Sequence, residues 1–289
     1  MRTTSTAKKR TTTGTAPSTA QARASRASRA RLDSAVAKAA GISRERAQAL
    51  ILAGKVTVDG LPQRKAGFAV PASAAIDILH DQPYVSRGGL KLERALRAFG
   101  WSPLGLRCLD VGASTGGFTD CLLQHGASSV TAVDVGYGHL AWKLRQDPRV
   151  SVVERTNFRH ADVADLGAPF DFVSADVSFI SLRKLSAQFA AALAQDGHLV
   201  ALVKPQFEAG RAAVQRGGVV RDPSAHCAAL DEVIASFTAA GLAVTKLTYS
   251  PLKGPAGNIE FLLGAQRDGL DVQAIDVAGV VRQAHETLE

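Results

Sequence analysis

The chain has 289 residues, 46% of them apolar and 21% charged, with a formal net charge of +8. That length and apolar content provide for one full-sized core plus a smaller module, and exclude a wholly disordered or fibrous chain. The basic excess is uneven: residues 1–30 hold seven basic side chains and no acidic one, whereas residues 31–289 hold 27 basic against 26 acidic. Within that remainder the balance is +3 over residues 31–80, +3 over 81–160 and −5 over 161–289, so a polyanionic partner is expected to meet the first half. Cys108, Cys121 and Cys227 form neither a CxxC pair nor an even framework, which argues against a disulfide scaffold or a zinc ribbon and fits a reducing, cytoplasmic location. No stretch approaches the roughly 18 uninterrupted apolar residues of a membrane span. The basic N-terminus lacks the apolar run of a secretory signal, although an organellar transit peptide has a similar composition.

Residues 1–28 are Thr, Ser, Ala and Arg with almost no large apolar side chain, so they cannot bury enough surface to offset ordering entropy and are expected to be disordered. Helical spacing starts at Arg31 with Leu32, Val36 and Ala39, and Gly41 stands where a C-terminal cap belongs. A second helix is expected with Ser43 as N-cap, Ala47, Leu50 and Ile51 on its buried face, and Gly54 as terminator. Lys55 to Val58 alternates as a strand and enters an Asp59-Gly60 turn, and a further strand is expected at 75–79.

These segments resemble the S4 RNA-binding domain over residues 31–80, through Arg31-Leu32-Asp33, the Ser43-Arg44-Ala47 helix and the run from Gly54 to Gly60. The resemblance implies basic side chains presented to RNA. The candidates are Arg29, Arg31, Arg44, Arg46, Lys55, Arg64 and Lys65, each of which could also be an ordinary solvated charge; phosphate binding grows with the number of charges neutralised.

Residues 81–85 read as a linker around Pro83. From Ser86 the pattern becomes α/β. Helices are expected near 91–99, from Phe118, and over 140–145, 182–193 and 224–239. Strands are expected at 108–111, 130–133, 150–153, 170–175, 198–203, 243–249 and 259–263. Alternating strands and helices imply a mostly parallel sheet covered on both faces. The last two strands are joined without a helix, so the final one is expected to be antiparallel, and residues 268–289 are expected to add a terminal helix.

Asp110-Val111-Gly112-Ala113-Ser114-Thr115-Gly116-Gly117-Phe118 closes the first of these strands and opens a helix. Its glycines allow a tight turn and close approach of backbone to a ligand. Asp134, at the end of the second strand, is placed to accept bonds from ribose hydroxyls. Together these features point to an adenosine-containing cofactor. The spacing is not G-x-G-x-x-G and no Walker A lysine is present, so a dinucleotide or nucleotide hydrolysis fits less well than S-adenosylmethionine. In that reading Asp110 lies near the amino-acid end, Asp134 at ribose, and Asn157 with Phe158 near adenine. A purely structural strand-to-helix turn is the alternative.

Four charged residues stand beside strand ends or glycine-rich turns. Lys91 follows Ser86-Arg87-Gly88-Gly89-Leu90, Asp176 ends the fourth strand, Lys204 ends the fifth, and Glu260 is expected inside the last. Ligands of open α/β sheets bind beyond the carboxyl ends of the strands. A carboxylate in an apolar strand needs a partner, and a lysine is the natural one.

This set resembles the Lys-Asp-Lys-Glu tetrad of FtsJ-like ribose 2′-O-methyltransferases. With the S4-like segment, Tyr84-Val85-Ser86-Arg87-Gly88-Gly89, Val133 to Gly138, Glu154 to Asn157, Asp176 to Leu182 and Lys204 to Glu208, the chain resembles the TlyA family over residues 29–265. The resemblance implies a Rossmann-like, class I methyltransferase α/β sheet (residues 86–267) behind a small α+β S4 domain (29–80). It also implies S-adenosylmethionine as cofactor, with Asp110, Gly112, Ala113, Ser114, Gly116, Gly117, Phe118, Asp134, Asn157 and Asp176 around it. The implied partner is ribosomal RNA of one or both subunits, with no membrane and no metal, and Arg87 and Arg159 join the RNA contacts. The same family carries a haemolysin label. The arm before residue 29 is outside the family pattern.

A ribose hydroxyl is a poor nucleophile, so methyl transfer to it needs a base, alignment, and a cation for the developing alkoxide. A lysine can be that base once burial or a neighbouring cation lowers its pKa. The expected roles are Lys204 as base, Lys91 as the neighbouring cation that also holds the 2′-oxygen, and Asp176 and Glu260 as orienting carboxylates. Tyr84, Phe179 and Phe207 are candidate platforms for a splayed-out nucleotide, or else core aromatics. A non-catalytic RNA-binding protein and a membrane-lysing protein are the rival readings.

Overall fold

A computed structural model describes residues 29–71, 73–78, 83–210, 213–267 and 274–288. The basic arm 1–28, the linker positions 81–82 and residues 268–273 of the expected C-terminal segment lie outside the described residues. The chain divides into two compact units between residues 81 and 82.

The first unit has β1 (Ala30–Arg31), α1 (Leu32–Ala40), α2 (Arg44–Leu52), β2 (Val56–Val58), β3 (Leu61–Pro62), β4 (Ala69–Val70) and β5 (Ile76–Ile78). Gly41 takes the left-handed conformation that ends α1, and the Ser43 side chain accepts a hydrogen bond from the Arg46 N–H to open α2. Asp59 and Gly60 both have positive φ, which gives the two-residue turn pairing Val58 with Leu61. Leu32, Val36, Ala47, Ile51, Val56, Val58 and Val70 form the core. Asp33 is buried beside them and is held well below the usual carboxylate range by the Arg31 guanidinium, with Gln48 and Arg44 also bonded to it.

The second unit is built on a seven-stranded sheet. In chain order it has α3 (Gly88–Phe99), β6 (Arg107–Val111), α4 (Gly117–Gln124), β7 (Ser129–Val133), α5 (Trp142–Arg145), β8 (Val150–Val153) and β9 (Phe170–Ala175). There follow α6 (Ser186–Ala192), β10 (Leu193–Val203), α7 (Pro205–Glu208), α8 (Pro223–Ala239), β11 (Leu242–Tyr249), β12 (Phe261–Arg267) and α9 (Val277–Leu288). The spatial order is β11-β12-β10-β9-β6-β7-β8, with β12 antiparallel to both neighbours and the remaining pairs parallel. Alternate residues of each strand feed two cores: Leu109, Val173, Leu199, Ala201 and Leu263 on one face, Cys108, Phe172, Val200, Leu202 and Leu262 on the other.

Two expectations change. Residues 83–85 are no free linker, because Tyr84 is buried beneath Gly89, where a Cβ would lie 2.2 Å from its ring, and the Val85 N–H donates to Asp120 Oδ2 at 2.8 Å. The Pro83 carbonyl accepts from Gln124 Nε2. Burying the large Tyr84 ring pins this segment to α3 and α4. The last strand begins at Phe261, so Glu260 stands at its mouth rather than inside it. Because β12 is antiparallel, that mouth lies at the carboxyl edge of the parallel strands, where Phe261 pairs with Val203 next to Lys204.

Candidate active site

Between β6 and β9 the strand order reverses, and the crevice at such a point is where α/β sheets bind ligands. A cavity of about 340 Å³ opens there, lined by Gly112, Ser114, Val133, Asp134, Asn157, Phe158 and Asp176 among others. Gly112 has φ +82°, and a Cβ on it would lie 2.7 Å from the Asp176 carbonyl oxygen, so only glycine fits this turn. The Asp134 carboxylate accepts from the Ser114 N–H at 2.8 Å and the Gly136 N–H at 2.6 Å, which ties the end of β7 to the glycine turn. Each of its oxygens keeps acceptor capacity for a ligand hydroxyl. Phe158 is buried and Asn157 is exposed, with the Asn157 Oδ1 accepting from the Arg159 N–H.

A second cavity of about 220 Å³ shares Gly112, Ser114, Asp176 and Ser178 with the first and is also lined by Ala113, Gly117, Phe118, Lys91, Lys204 and Glu260. The four charged residues from distant parts of the sequence thus face one chamber. They form two ion pairs: Lys91 Nζ to Glu260 Oε2 at 2.6 Å, and Lys204 Nζ to Asp176 Oδ1 at 2.6 Å. Lys204 also donates to Ser178 Oγ at 2.8 Å, a partner that sequence reasoning did not single out. Burial pushes the Glu260 carboxyl above its ordinary pKa, against the opposing pull of Lys91.

Two expected cofactor residues, Asp110 and Gly116, line neither cavity. Asp110 is fully buried behind the turn and lines neither cavity: Thr119 Oγ1 donates to one oxygen at 2.6 Å and Ser174 Oγ to the other at 3.0 Å. Burial raises its pKa to about 6. Its work is to fasten β6 to α4 and β9, and no spacing signal distinguishes that from ligand contact. Gly116 is small because a Cβ would strike Leu144 at 2.3 Å and Leu140 at 2.7 Å, a packing reason rather than a ligand one. Gly117 lines the smaller cavity, and a Cβ on it would meet Ser86 Oγ and the Gly89 backbone. Of the aromatic platforms, Tyr84 is core, whereas Phe179 is 91% exposed with φ +64° and lies 5.4 Å from the Phe207 ring.

The expected RNA contacts divide in the same way. Arg87 and Arg159 are exposed on the methyltransferase-like unit, and Arg159 lines the larger cavity. On the first unit Arg29 and Lys65 line a groove of about 650 Å³ with Leu61 and Phe68, and Arg46 and Arg64 are exposed. Arg31 and Arg44 remain about half exposed but are paired with Asp33, so part of their charge serves that fold. Lys55 is half-buried before β2.

A glycine turn with no room for a Cβ, a carboxylate at the end of the second strand of the sheet, and an adjoining chamber fit S-adenosylmethionine, which Gly112, Ser114, Asp134 and Phe158 would hold. Comparison with known proteins agrees. The S4 domain family matches residues 30–76 and the FtsJ-like methyltransferase family matches residues 84–267. The chain is 46% identical over 241 residues to the 16S/23S rRNA (cytidine-2′-O)-methyltransferase TlyA of Mycobacterium tuberculosis, covering 82% of this chain and 90% of that one. It is 42% identical over 222 residues to Hemolysin A of Brachyspira hyodysenteriae, covering 76% and 92%. Among solved structures, a hemolysin-labelled protein from Streptococcus thermophilus superposes with a TM-score of 0.70 at 42% identity, over 90% of this chain and 96% of that one. The chain therefore belongs to the TlyA family of FtsJ-like, S-adenosylmethionine-dependent methyltransferases, with an S4 domain ahead of the methyltransferase domain.

Proposed function

We propose that the protein methylates the ribose 2′-hydroxyl of a cytidine in ribosomal RNA of the small subunit, the large subunit or both, in the cytoplasm. The observation that carries this reading is the pairing of Lys91 with Glu260 and Lys204 with Asp176 around one chamber that shares a wall with the cofactor cavity. The cofactor, when bound, supplies an electrophilic methyl carbon and leaves as the neutral thioether.

Lys204 is the base. Two of its ammonium hydrogens are committed to Asp176 and Ser178, which fixes the direction of the third position. A lone pair on Lys204 at that position would take the 2′-hydroxyl proton as the oxygen–carbon bond forms. Lys91, ion-paired with Glu260, offers its remaining hydrogens to the oxygen as negative charge develops there. Asp176 and Glu260 hold the two nitrogens in place. The exposed Phe179 ring beside the chamber stacks on the base of the target nucleotide, and Arg87, Arg159 and the basic groove of the S4 domain bind phosphates.

The test is transfer of labelled methyl from S-adenosylmethionine to unmodified small subunits, large subunits and intact ribosomes, followed by nucleoside mass spectrometry. A 2′-O-methylcytidine on at least one substrate is expected. Its absence from all three overturns the reading.

A further inference from the structure

The cofactor cavity is lined from the ends of β6, β7, β8 and β9, and the chamber also by Lys204 after β10 and by Pro255 and Glu260 before β12. Of the RNA contacts read from the sequence, Arg87 precedes α3 and Arg159 follows β8. Two further cations lie toward β11 and the loop into β12. Arg94 is on α3, one turn beyond Lys91, and helical side chains lean toward the N-terminus, here the end that carries Ser86 and Lys91 to the chamber. Its guanidinium carbon lies 5.3 Å from the centre of the Tyr249 ring, and Tyr249 is the last residue of β11. Arg94 is half-buried, and its Nε is shielded from solvent with no hydrogen-bond partner among the described residues.

Lys253 lies half-buried in the loop between β11 and β12. Its neighbour Gly254 is so close to Glu260 that a Cβ would lie 2.5 Å from Oε1, and Pro255 lines the chamber. Among the described residues neither Arg94 nor Lys253 forms an ion pair, whereas the two chamber lysines are each matched by a carboxylate. Both side chains therefore carry uncompensated charge. A half-desolvated guanidinium without a partner is unfavourable, and an anionic oxygen relieves it. A guanidinium held against the Tyr249 ring offers a phosphate a forked donor, which suits it better than a mobile lysine alone would.

We propose that Arg94 and Lys253 bind the phosphodiester backbone of the substrate RNA on the side of the target nucleotide away from the cofactor, and so set how the strand crosses the chamber. This rests on the ribose-methylation reading above.

The full chain is assayed for methyl transfer to unmodified ribosomal subunits across a range of KCl concentrations. Arg94→Gln and Lys253→Gln are each expected to raise the RNA KM on the order of 10-fold. Each should leave cofactor binding unchanged and flatten the slope of log(kcat/KM) against log[KCl] by about 0.7 to 0.9. Arg94→Lys should keep the slope. Arg97→Gln, on the same helix and already paired with Glu93, should change neither quantity. If Arg94 only packs on Tyr249, Arg94→Gln lowers Tm without moving the slope, and the proposal fails. An unchanged slope in Lys253→Gln overturns it independently of how Arg94→Gln folds. If the unsubstituted chain transfers no methyl to RNA, the methylation reading falls and this one with it; transfer with unaltered slopes removes this one alone.

Discussion

Glu260 Oε2 lies 2.6 Å from Lys91 Nζ across 169 positions of sequence, and both side chains are almost wholly buried. Each makes the other's burial tolerable. Removing one partner of a buried pair leaves an uncompensated charge, so Lys91→Met is expected to cost about 3–5 kcal/mol of stability. Adding Glu260→Gln to Lys91→Met should restore much of that loss while methyl transfer stays absent. Denaturant unfolding of the single and double variants, run beside the labelled-methyl assay, checks both halves of the expectation.

Lys204→Ala removes the proposed base but touches neither the glycine turn nor Asp134. Transfer should fall by roughly 10²–10⁴-fold, the usual size of a general-base contribution. Cofactor affinity, measured by titration calorimetry, should stay nearly intact. Unchanged turnover would refute the assignment.

Phe179 is expected to matter for substrate and not for the fold. At 91% exposure its ring has little packing to lose, so Phe179→Ala should alter stability by no more than about 0.5 kcal/mol. Loss of a stacked base should nevertheless cost about 1–3 kcal/mol in kcat/KM for RNA. Equal kcat/KM for the variant and the parent would leave the exposed ring without this role.

Asp110 sets a pH dependence. Burial raises its pKa from 3.8 to about 6, so over that interval the folded chain retains a proton that the unfolded chain has lost. Stability from this group is therefore greatest below the unfolded value and falls as pH rises through the folded one. Asp110→Asn should stabilise the protein by up to about 3 kcal/mol at pH 7.5, with the gain shrinking to nothing near pH 4. Unfolding curves for both proteins across that range test the sign.

Much of the architecture was legible because strand alternation and caps are local properties. Val150–Val153 and Phe170–Ala175 have the bounds that their apolar runs define, Gly41 and Ser43 cap as their types require, and the missing helix before β12 foretold its antiparallel direction. What was not legible depends on neighbours distant in sequence. Asp110 reads as a ligand contact until it is seen to be fully buried, bonded to Thr119 and Ser174 and away from both cavities. Gly116 is explained by Leu140 and Leu144, and Tyr84 by the space that Gly89 leaves. The pairing of Arg31 and Arg44 with Asp33 is hidden for the same reason. At the chamber, residue types named the members, but which lysine faces which carboxylate, and the presence of Ser178, came only from geometry.

The antiparallel course of β12 also bears on how the protein is made. Domains emerge from synthesis N-terminal end first, at about 5–20 residues per second. Lys91 appears early, whereas Glu260, carried to the chamber by the turn into β12, is made 169 residues later. A nascent chain that already displays the S4 domain and the glycine turn therefore still lacks the counter-charge for Lys91 and the strand between β10 and β11. On the proposed roles, chemical competence is acquired only once Glu260 has been made, so a translation product that stops short of it would occupy RNA without altering it.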